Sequence, residues 1–450
     1  MEKNMRNVDK YRQLILDAQD YLWKHPETGY REWKTHAYLE EAYAKLGYEL
    51  TLAGDIPGFY TELDTGRPGP TIAIFGEMDS LICASHPDAD PATGAVHACG
   101  HSAQSATLLG IAAALSEPGA LDGLSGKIRL VAVPAEELIE IEYRKELREK
   151  GVITYFGGKP EFLYRGLLDG VELAFMIHTT AAAGSGEGII QRGYNGCVAK
   201  SIGFTGVAAH AGGAPHNGVN ALYAANLALN AINALRETFK DASHIRVHPI
   251  ITAGGNVVNA IPDDVRMESF VRGASVEDMV DANRKVNRAL AASAAALGAN
   301  VRLEDIPGYM PGKNDLEMME LTREAMELAG VKVTFRPEGW GTGSTDMGDI
   351  ASVMPSIHPY MGGAAGKGHG NDYYIADPET ACVTSAKVQL NMLRLLLGNG
   401  AERAKKIIAE YKPVFESKEA YFEAMEKLRL DCVAVTYDGD AQAHLTFGKE

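Results

Sequence analysis

The sequence predicts an α/β fold, because three short segments have the nearly continuous apolar character of strands covered on both faces. These segments are 71–76, 127–133 and 173–177. Helical periodicity separates them, as in a sheet built from strand–helix–strand crossovers. Acidic or histidine side chains follow each segment within three residues, and sites of α/β sheets form beyond the carboxyl ends of the strands. We therefore expect a functional site at this edge of the sheet.

A smaller α+β unit interrupts this pattern. From about residue 196 to residue 306 the order is strand, helix, strand, strand, helix, strand, which is typical of a ferredoxin-like arrangement. The α/β pattern resumes at Pro307. The predicted domains are therefore a discontinuous first domain, 1–194 and 307–450, and an inserted domain, 195–306.

The other elements follow from apolar periodicity and from glycine and proline signals. Helices are predicted at 6–24, 32–46, 103–115, 315–329, 381–397, 400–411 and 415–428. Two glycine-rich stretches, 341–349 and 362–370, are predicted loops. The segment 139–168 is interpreted as an insertion near the mouth of the site, and its charged run EIEYRKE is interpreted as a solvated surface helix.

Length and composition exclude several classes of protein. A chain of 450 residues is too long for one core, and 46% hydrophobic with 23% charged residues is typical of a globular protein. The formal net charge of −16 argues against non-specific binding to nucleic acid or anionic membranes. The five scattered cysteines fit a reducing compartment. Without a signal-like N-terminus or a long apolar run, a cytoplasmic location is expected.

The stretch His97–Ser102, HACGHS, is the strongest local signal for chemistry. It places two imidazoles and a thiol within five residues, with a glycine that lets the backbone turn tightly. The side chains of Cys99 and His101 can then face a common centre, and both are ligands that zinc and related ions prefer. The alternative interpretation is a buried cysteine with histidines nearby by chance.

The residues after the strands extend this candidate metal site. Asp79 follows the first strand, Glu136 and Glu137 follow the second, and His178 follows the third. With His369, this set supplies thiolate, imidazole and carboxylate donors for two divalent ions. Glu137 is suited to coordination and Glu136 to general base catalysis. Alone, the acidic pair could instead begin a helix, and His178 would more often be a core histidine; the prediction depends on the whole set.

Together these motifs resemble the M20 metallopeptidases and amidohydrolases, which include aminoacylases and carboxypeptidases. The matching stretches are HPETGY near the N-terminus, GEMDS (76–80), HACGHS (97–102), PAEE (134–137), MIH (176–178), GVAAHAGGAPHNGVNAL (206–222) and NAIPDDVRMESFVRG (259–273). The resemblance covers the chain to about residue 398. It implies a zinc-peptidase-like catalytic domain with a mixed sheet, interrupted by a lid domain that dimerises.

The resemblance also implies roles for individual residues. The matched metal ligands are Cys99, His101, Glu137, His178 and His369, with His358 as the runner-up to His369. The matched catalytic residues are Glu136 as general base, Asp79 as the carboxylate that supports the metal site, and His210, which would steady the oxyanion in the partner subunit's site. Asn259 and Arg272 match positions that bind the substrate carboxylate.

The implied function is metal-dependent hydrolysis of an amide bond in an N-acyl amino acid, an aminobenzoyl-glutamate-like conjugate or a small dipeptide. The cofactor would be two divalent ions per chain, with zinc, manganese and cobalt all compatible with the ligands. The expected partners are the small substrate and a second copy of the chain, joined through 195–306. Two residues depart from common family patterns, Glu77 and Ser102. The alternative function is a metal-binding protein that keeps the fold without catalysis.

Overall fold

The computed structural model describes residues 2–439 and 442–447, which fall into two compact units. The helices are α1 (Glu2–Lys10), α2 (Arg12–Lys24), α3 (Trp33–Lys45), α4 (His101–Leu115), α5 (Ile141–Glu149), α6 (Gly158–Tyr164), α7 (Ala221–Leu235), α8 (Val276–Ala296), α9 (Leu316–Leu328), α10 (Met347–Val353), α11 (Ser385–Leu397), α12 (Glu402–Glu410) and α13 (Lys418–Lys427). The strands are β1 (Thr51–Leu52), β2 (Phe59–Asp64), β3 (Thr71–Glu77), β4 (Leu81–Ile82), β5 (Ala95–Val96), β6 (Lys127–Val133), β7 (Leu173–Phe175), β8 (His178–Thr179), β9 (Glu187–Thr205), β10 (Arg246–Val247), β11 (Ile250–Ala253), β12 (Asp264–Gly273), β13 (Asn300–Tyr309), β14 (Gly312–Lys313), β15 (Lys332–Ser344), β16 (Ser356–Ile357), β17 (Tyr360–Met361), β18 (Ala364–Ala365), β19 (Tyr374–Ile375), β20 (Leu430–Val433), β21 (Val435–Asp438) and β22 (Gln442–Leu445).

Unit 1 contains the described residues up to Gly193, together with Lys313–Trp340 and Asp349–Val414. Its main sheet has the strand order β1-β2-β6-β3-β7-β16. Strand β2 is antiparallel to β6, whereas β6, β3, β7 and β16 are mutually parallel, so the sheet is mixed. The three predicted apolar strands are β3, β6 and β7, and every residue of β3 is buried. This burial on both faces explains their continuous apolar sequences.

Helix α4 packs against β3 and begins within the predicted metal-binding stretch. All its residues from His101 to Leu115 are buried, so the helix has no solvent-facing stripe. Gly100 precedes it with φ +92°, a left-handed conformation that favours glycine. A Cβ atom there would also lie 2.5 Å from the Tyr373 hydroxyl. The glycine therefore permits the turn that brings Cys99 and His101 to the same centre.

The segment 139–168 contains the charged run EIEYRKE, whose prediction as a solvated surface helix is wrong for Arg144. It forms α5 and α6, and most residues from Ile153 to Leu163 are buried. Arg144 is completely buried because its guanidinium donates to the carbonyl oxygens of Phe156, at 2.6 Å, and Glu137. Glu137 follows β6, so the segment packs against the site rather than extending into solvent.

Unit 2 contains Tyr194–Gly312, Gly341–Gly348 and the described residues from Phe415 onward. Its antiparallel strands follow the order β10-β12-β9-β13-β20, and β11 pairs with β12 beside β10. The core joins this sheet to α7 and α8, with contributions from Phe204, Ala224, Val265 and Leu290. The predicted strand–helix–strand–strand–helix–strand order is observed for residues 194–309.

The C-terminal segment and one glycine-rich stretch differ from the predictions. The first domain was predicted to include the chain to residue 450, but β20 pairs with β13 of unit 2, and Ala434 and Val435 are buried in the unit 2 core. The stretch 341–349 was predicted as a loop, but β15 extends to Ser344 and α10 begins at Met347. The predicted helix 6–24 is divided at Tyr11 into α1 and α2. Among the described residues, no helix has the length and apolarity that crossing a membrane requires.

Candidate metal centre

The parallel strands of unit 1 bring the sequence-predicted residues to one edge of the sheet. Asp79 follows β3, the pair Glu136–Glu137 follows β6, and His178 follows β7. Because β3, β6 and β7 are parallel, their carboxyl ends meet at this edge. Cys99 and His101 reach it from the start of α4. The edge therefore collects thiolate, imidazole and carboxylate donors from widely separated parts of the chain.

One group of donors, which we term the histidine trio, consists of Cys99, His101 and His178. One ligand atom from each lies within 4.8 Å of those of the other two, and Cys99 Sγ is 3.4 Å from His178 Nε2. The Nδ1 atom of His178 lies 2.6 Å from the carbonyl oxygen of Thr179, and Nδ1 of His101 lies 3.0 Å from Asp79 Oδ1. When Nδ1–H donates to these acceptors, the Nε2 lone pair of each ring is left to bind a metal ion.

Asp79 connects two predicted ligands. Its Oδ1 atom accepts from His101 Nδ1, and its Oδ2 atom accepts from the backbone N–H of Glu137 at 2.7 Å. The Asp79 side chain is fully buried, so both contacts are protected from water. These contacts give Asp79 a way to orient both ligands without itself being one, as the family resemblance implies.

A second group, the carboxylate trio, consists of Cys99, Glu137 and His369. Their ligand atoms also lie within 4.8 Å of one another, and His369 Nε2 is 3.1 Å from Glu137 Oε1. The backbone N–H of His369 donates to the carbonyl oxygen of Ala98, which ties the late loop to the HACGHS turn. His369 has φ +63°, a conformation costly for a residue with a side chain and often found at functional sites. Cys99 belongs to both trios.

Glu136 lies beside the trios after a second strained turn. Ala135 has φ +57°, and its N–H donates to the buried carboxylate of Glu32 at 2.8 Å. This turn directs Glu136 toward the site, where its Oε2 atom is 3.8 Å from His101 Nε2. Glu136 is only 7% exposed. Its carboxylate is thus next to the donors without belonging to either trio, which suits a proton-transfer group.

The ionisable groups of the site shift one another's pKa values. Burial and the Glu137 carboxylate oppose ionisation of Cys99, but His101 and His178 outweigh them and lower the thiol pKa to about 6. The Glu137 carboxylate in turn raises the pKa of His369 to about 11. Burial opposes ionisation of Glu137, but His369 outweighs it and lowers the Glu137 pKa to about 2. The donors therefore carry negative charge that protonated imidazoles balance, and a divalent cation can replace those protons.

The donor set fits divalent transition metals by its chemistry and by its unsatisfied atoms. Mixed sulfur, nitrogen and oxygen donors are those of zinc and its neighbours. The buried atoms His101 Nε2 and Glu77 Oε2 are 3.2 Å apart, yet neither makes a hydrogen bond of regular geometry to any residue that the structure describes. Buried polar atoms without such partners are rare in folded proteins and call for an explanation. A cation bound to Nε2 would explain why this buried atom of His101 lacks a hydrogen-bond partner among the described residues.

Three residues at the site were not assigned by sequence reasoning. Glu77 was noted only as a departure, but it forms a third group of close donor atoms with His101 and Glu136. Lys159 and Arg144 come from the segment interpreted as an insertion near the mouth of the site, and both are completely buried. Their charge gave no signal of burial, because nothing local in the sequence identifies their partners.

His358, the runner-up for the last ligand position, is placed differently from His369. Its ring centroid is 5.7 Å from that of His178, but it belongs to none of the three close donor groups. Burial is the main cause that lowers its pKa to about 3. The geometry therefore favours His369 over His358 as the late-chain donor.

The other predicted site residues, His210, Asn259 and Arg272, lie in unit 2. Nδ1 of the exposed His210 accepts hydrogen bonds from the backbone N–H groups of Gly212 and Gly213, at 3.1 and 2.9 Å. The ring proton is therefore on Nε2, which is left as a donor. Asn259 is adjacent, since its carbonyl oxygen accepts from Ala211 N–H. Arg272 donates to Ser344 Oγ at 3.3 Å.

The thiol pKa leads to a test in metal-free protein. Iodoacetamide should alkylate Cys99 at a rate that rises as the pH increases through about 6, because the thiolate is the reactive form. Cys382, whose thiol pKa is raised mainly by burial, serves as the unreactive control. Peptide mass spectrometry at a series of pH values measures the alkylation rates of Cys99 and Cys382. A Cys99 rate that rises only above about pH 8, as for an ordinary thiol, would contradict a thiolate stabilised by His101 and His178.

Comparison with known proteins identifies relatives of both units. Residues 191–297 match the M20 peptidase dimerisation domain. The chain is 25% identical to thermostable carboxypeptidase 1 of Saccharolobus solfataricus over 80% of this chain and 89% of that protein. It is 27% identical to one of the two subunits of p-aminobenzoyl-glutamate hydrolase from Escherichia coli, over 75% of this chain and 77% of that one. A solved Bacillus subtilis structure, described as a dinuclear metal-binding peptidase from the M20 family, superimposes with a TM-score of 0.64 at 20% identity, covering 86% of this chain and 99% of the other.

These similarities confirm the predicted resemblance and the predicted fold class, an α/β fold with mixed sheets and an inserted dimerisation domain. The roles assigned to individual residues are not tested by them and stay predictions.

Proposed function

We propose that this chain, a hydrolase similar to M20 peptidases, cleaves the amide bond of an N-acyl amino acid, an aminobenzoyl-glutamate-like conjugate or a small dipeptide in a metal-dependent reaction. The observation that carries this proposal is the convergence of the two trios, with Glu136 beside them. The names of the relatives support it, since they include a carboxypeptidase and an aminobenzoyl-glutamate hydrolase.

The two trios define where two divalent ions would bind. His101 and His178 would hold one ion, Glu137 and His369 would hold the other, and the Cys99 thiolate would serve both. When bound, a divalent ion lowers the pKa of a water ligand to about 7 and polarises a carbonyl oxygen. Zinc, manganese and cobalt all match the donors.

Glu136 is the proposed general base. Its carboxylate lies next to the donors but outside both trios, so it can accept a proton from the attacking water and deliver it to the leaving nitrogen. Asp79 holds His101 and the backbone of Glu137 in place during these steps. The low exposure of Glu136 limits access of bulk water, which strengthens the interaction of the carboxylate with developing charge.

Unit 2 is proposed to act as the lid and dimerisation domain. The Nε2–H of His210 provides a donor for the oxyanion of the partner subunit's substrate, since Nδ1 is engaged by two backbone amides. The Arg272 guanidinium and the Asn259 amide are proposed to bind the substrate carboxylate. A cytoplasmic location is also proposed, and it is supported by the five cysteines, none of which forms a disulfide within the described part of the chain.

The direct experiment measures metal content and hydrolysis together. Elemental analysis of the purified chain, paired with a panel of N-acyl amino acids, aminobenzoyl-glutamate and dipeptides, is run before and after chelation. About two ions per chain and chelator-sensitive cleavage of one substrate class support the proposal. Bound metal without cleavage across the panel favours the silent metal-binding alternative, and failure to bind metal after reconstitution contradicts both.

The exposed apolar residues of unit 2 indicate where two chains would join. All residues of β11 are exposed, including Ile250 at 59% and Ile251 at 39%, and among the described residues β11 pairs only with β12. On α7, Tyr223 and Leu227 are also exposed. An unpaired strand edge with apolar side chains is a template for pairing with another chain. We therefore propose a homodimer through β11 and α7.

Replacing Ile250 with aspartate is expected to convert the dimer into a monomer, because the substitution places a charge at the centre of an apolar contact. Light scattering coupled to size-exclusion chromatography measures the mass. The matched control is Leu297→Asp, since Leu297 is an exposed leucine elsewhere in unit 2. The monomer should also lose activity if the partner's His210 completes the site. An Ile250→Asp protein that stays dimeric would place the interface elsewhere.

A further inference from the structure

A buried ion pair lies behind the candidate metal centre. Glu77 ends β3, Lys159 is the second residue of α6, and neither side chain has any exposed surface. Lys159 Nζ is 2.5 Å from Glu77 Oε1. Removing two such charges from water is costly before their attraction is counted, so a buried pair is weak evidence of a stabilising role. The position of this pair suggests a different role.

The second oxygen of Glu77 faces the site. Glu77 Oε2 is 3.2 Å from His101 Nε2, the ring atom left for metal binding once Nδ1 contacts Asp79. Glu77, His101 and Glu136 form a close donor group within 4.8 Å. The Glu77 carboxylate thus connects the Lys159 ammonium with a histidine of the trio and lies close to the proposed base.

The segment that carries Lys159 is fixed to the same part of the site. The N–H of Gly158 donates to the carbonyl oxygen of Ala135 at 3.2 Å, and a Cβ atom on Gly158 would collide with the carbonyl oxygen of Pro134. The ammonium of Lys159 is also 5.8 Å from the centre of the Phe75 ring. Close backbone packing therefore sets where the ammonium lies relative to the Pro134–Glu137 turn.

We propose that Lys159 is a positioning residue for the metal centre, which acts through Glu77 on His101. The inference rests on the proposed metal-dependent function. The ammonium holds one oxygen of Glu77, so that the other oxygen stays directed at the edge of the His101 ring. Without the ammonium, the Glu77 carboxylate loses the partner that fixes its orientation, and it can bind the incoming cation itself in place of a donor of the trio. The segment 139–168 thereby contributes to the metal centre itself.

The test uses Co²⁺ as the probe, because its visible absorption reports thiolate and imidazole coordination directly. Metal-depleted wild-type protein and the Lys159→Met variant are titrated with Co²⁺, and affinity and spectrum are recorded. The matched control is Lys200→Met, because Lys200 is another completely buried lysine paired with a buried carboxylate, that of Asp305, in unit 2. Lys159→Met is expected to weaken Co²⁺ binding about 10- to 100-fold and to alter the spectrum. Lys200→Met should lower thermal stability and leave the spectrum unchanged.

Two more variants separate positioning from a general effect on folding. The double variant Glu77→Gln/Lys159→Met removes both charges and should recover most of the Co²⁺ affinity lost by Lys159→Met alone. Lys159→Arg keeps the charge and should retain the wild-type spectrum. If Lys159→Met does not fold, the double variant carries the test, since a folded double variant with a near-wild-type spectrum supports the proposal.

The possible failures are distinguishable. Wild-type affinity and spectrum in Lys159→Met overturn the inference and leave the proposed function intact. A double variant as weak as or weaker than Lys159→Met also overturns it, since Glu77 would then contribute to binding independently of Lys159. Absence of Co²⁺ binding in the wild-type protein overturns the proposed function instead.

Discussion

Replacing Glu136 with glutamine is expected to lower kcat by about 10²- to 10⁴-fold, the usual contribution of a general base. Glutamine keeps the size of the side chain and its hydrogen-bonding oxygen, but it cannot accept the proton from water. Because Glu136 belongs to neither trio, the metal content should stay at the wild-type value. Steady-state kinetics on the best substrate, with elemental analysis of the same sample, measures both quantities.

The matched control for this variant is Glu142→Gln. Glu142 is a glutamate of α5 with an exposed side chain, so its replacement should change neither kcat nor metal content. Retention of hydrolysis by Glu136→Gln would remove Glu136 from the proton-transfer role. Loss of both metal and turnover would assign Glu136 to metal binding, a possibility raised by its close group with Glu77 and His101.

The sequence predicted the edge of the sheet at which the candidate donors meet, because its signals are local. Apolar runs identify β3, β6 and β7 as buried strands, and their parallel arrangement places whatever follows them at one edge. Asp79, Glu137 and His178 are therefore brought together by the geometry of a parallel sheet. The glycine of the HACGHS stretch similarly predicted a tight turn, and Gly100 adopts φ +92°.

The sequence could not predict interactions whose two members lie far apart in the chain. Arg144 is in a run of alternating charges that is typical of a solvated helix, and its burial depends on carbonyl groups of Glu137 and Phe156. The pairing of β20 with β13 also joins two segments that lie far apart in the chain. The alternating exposure of β20 gives no local sign of which strand it joins, and side-chain packing rather than intrinsic propensity decides such pairings.

The strained turns were equally invisible to sequence patterns. Ala135 and His369 both have positive φ, a conformation that glycine adopts most readily. Each conformation costs of the order of 1–3 kcal/mol and persists only where surrounding contacts determine it. At Ala135 the contact is the Glu32 carboxylate, and at His369 it is the carbonyl oxygen of Ala98. Both turns lie at candidate site residues: Glu136 follows Ala135, and His369 Nε2 is 3.1 Å from Glu137 Oε1.

The Cys99→Ala variant is expected to lose both metal ions, and with them all metal-dependent turnover. Cys99 is the residue common to the histidine and carboxylate trios, so its removal takes one donor from each. The remaining carboxylates are then balanced by protonated His101 and His369. A protonated imidazole must lose its proton before it can bind a metal ion, so this state opposes cation binding. Elemental analysis after reconstitution should find fewer than about one ion per chain, against about two in the wild-type protein.

Cys83→Ala provides the control, because Cys83 is a half-buried thiol of the same hydrophobic cluster that belongs to neither trio. It should retain both ions and full activity. Loss of only one ion from Cys99→Ala would show that the thiolate serves a single trio, and retention of both would remove it from the metal centre. If only one ion is lost, Glu136 can still act as the base of a mononuclear hydrolase. If both ions are retained, His101 and His178 bind metal without the Cys99 thiolate. The number of ions lost from Cys99→Ala therefore distinguishes a dinuclear centre that shares the thiolate from two separate metal sites.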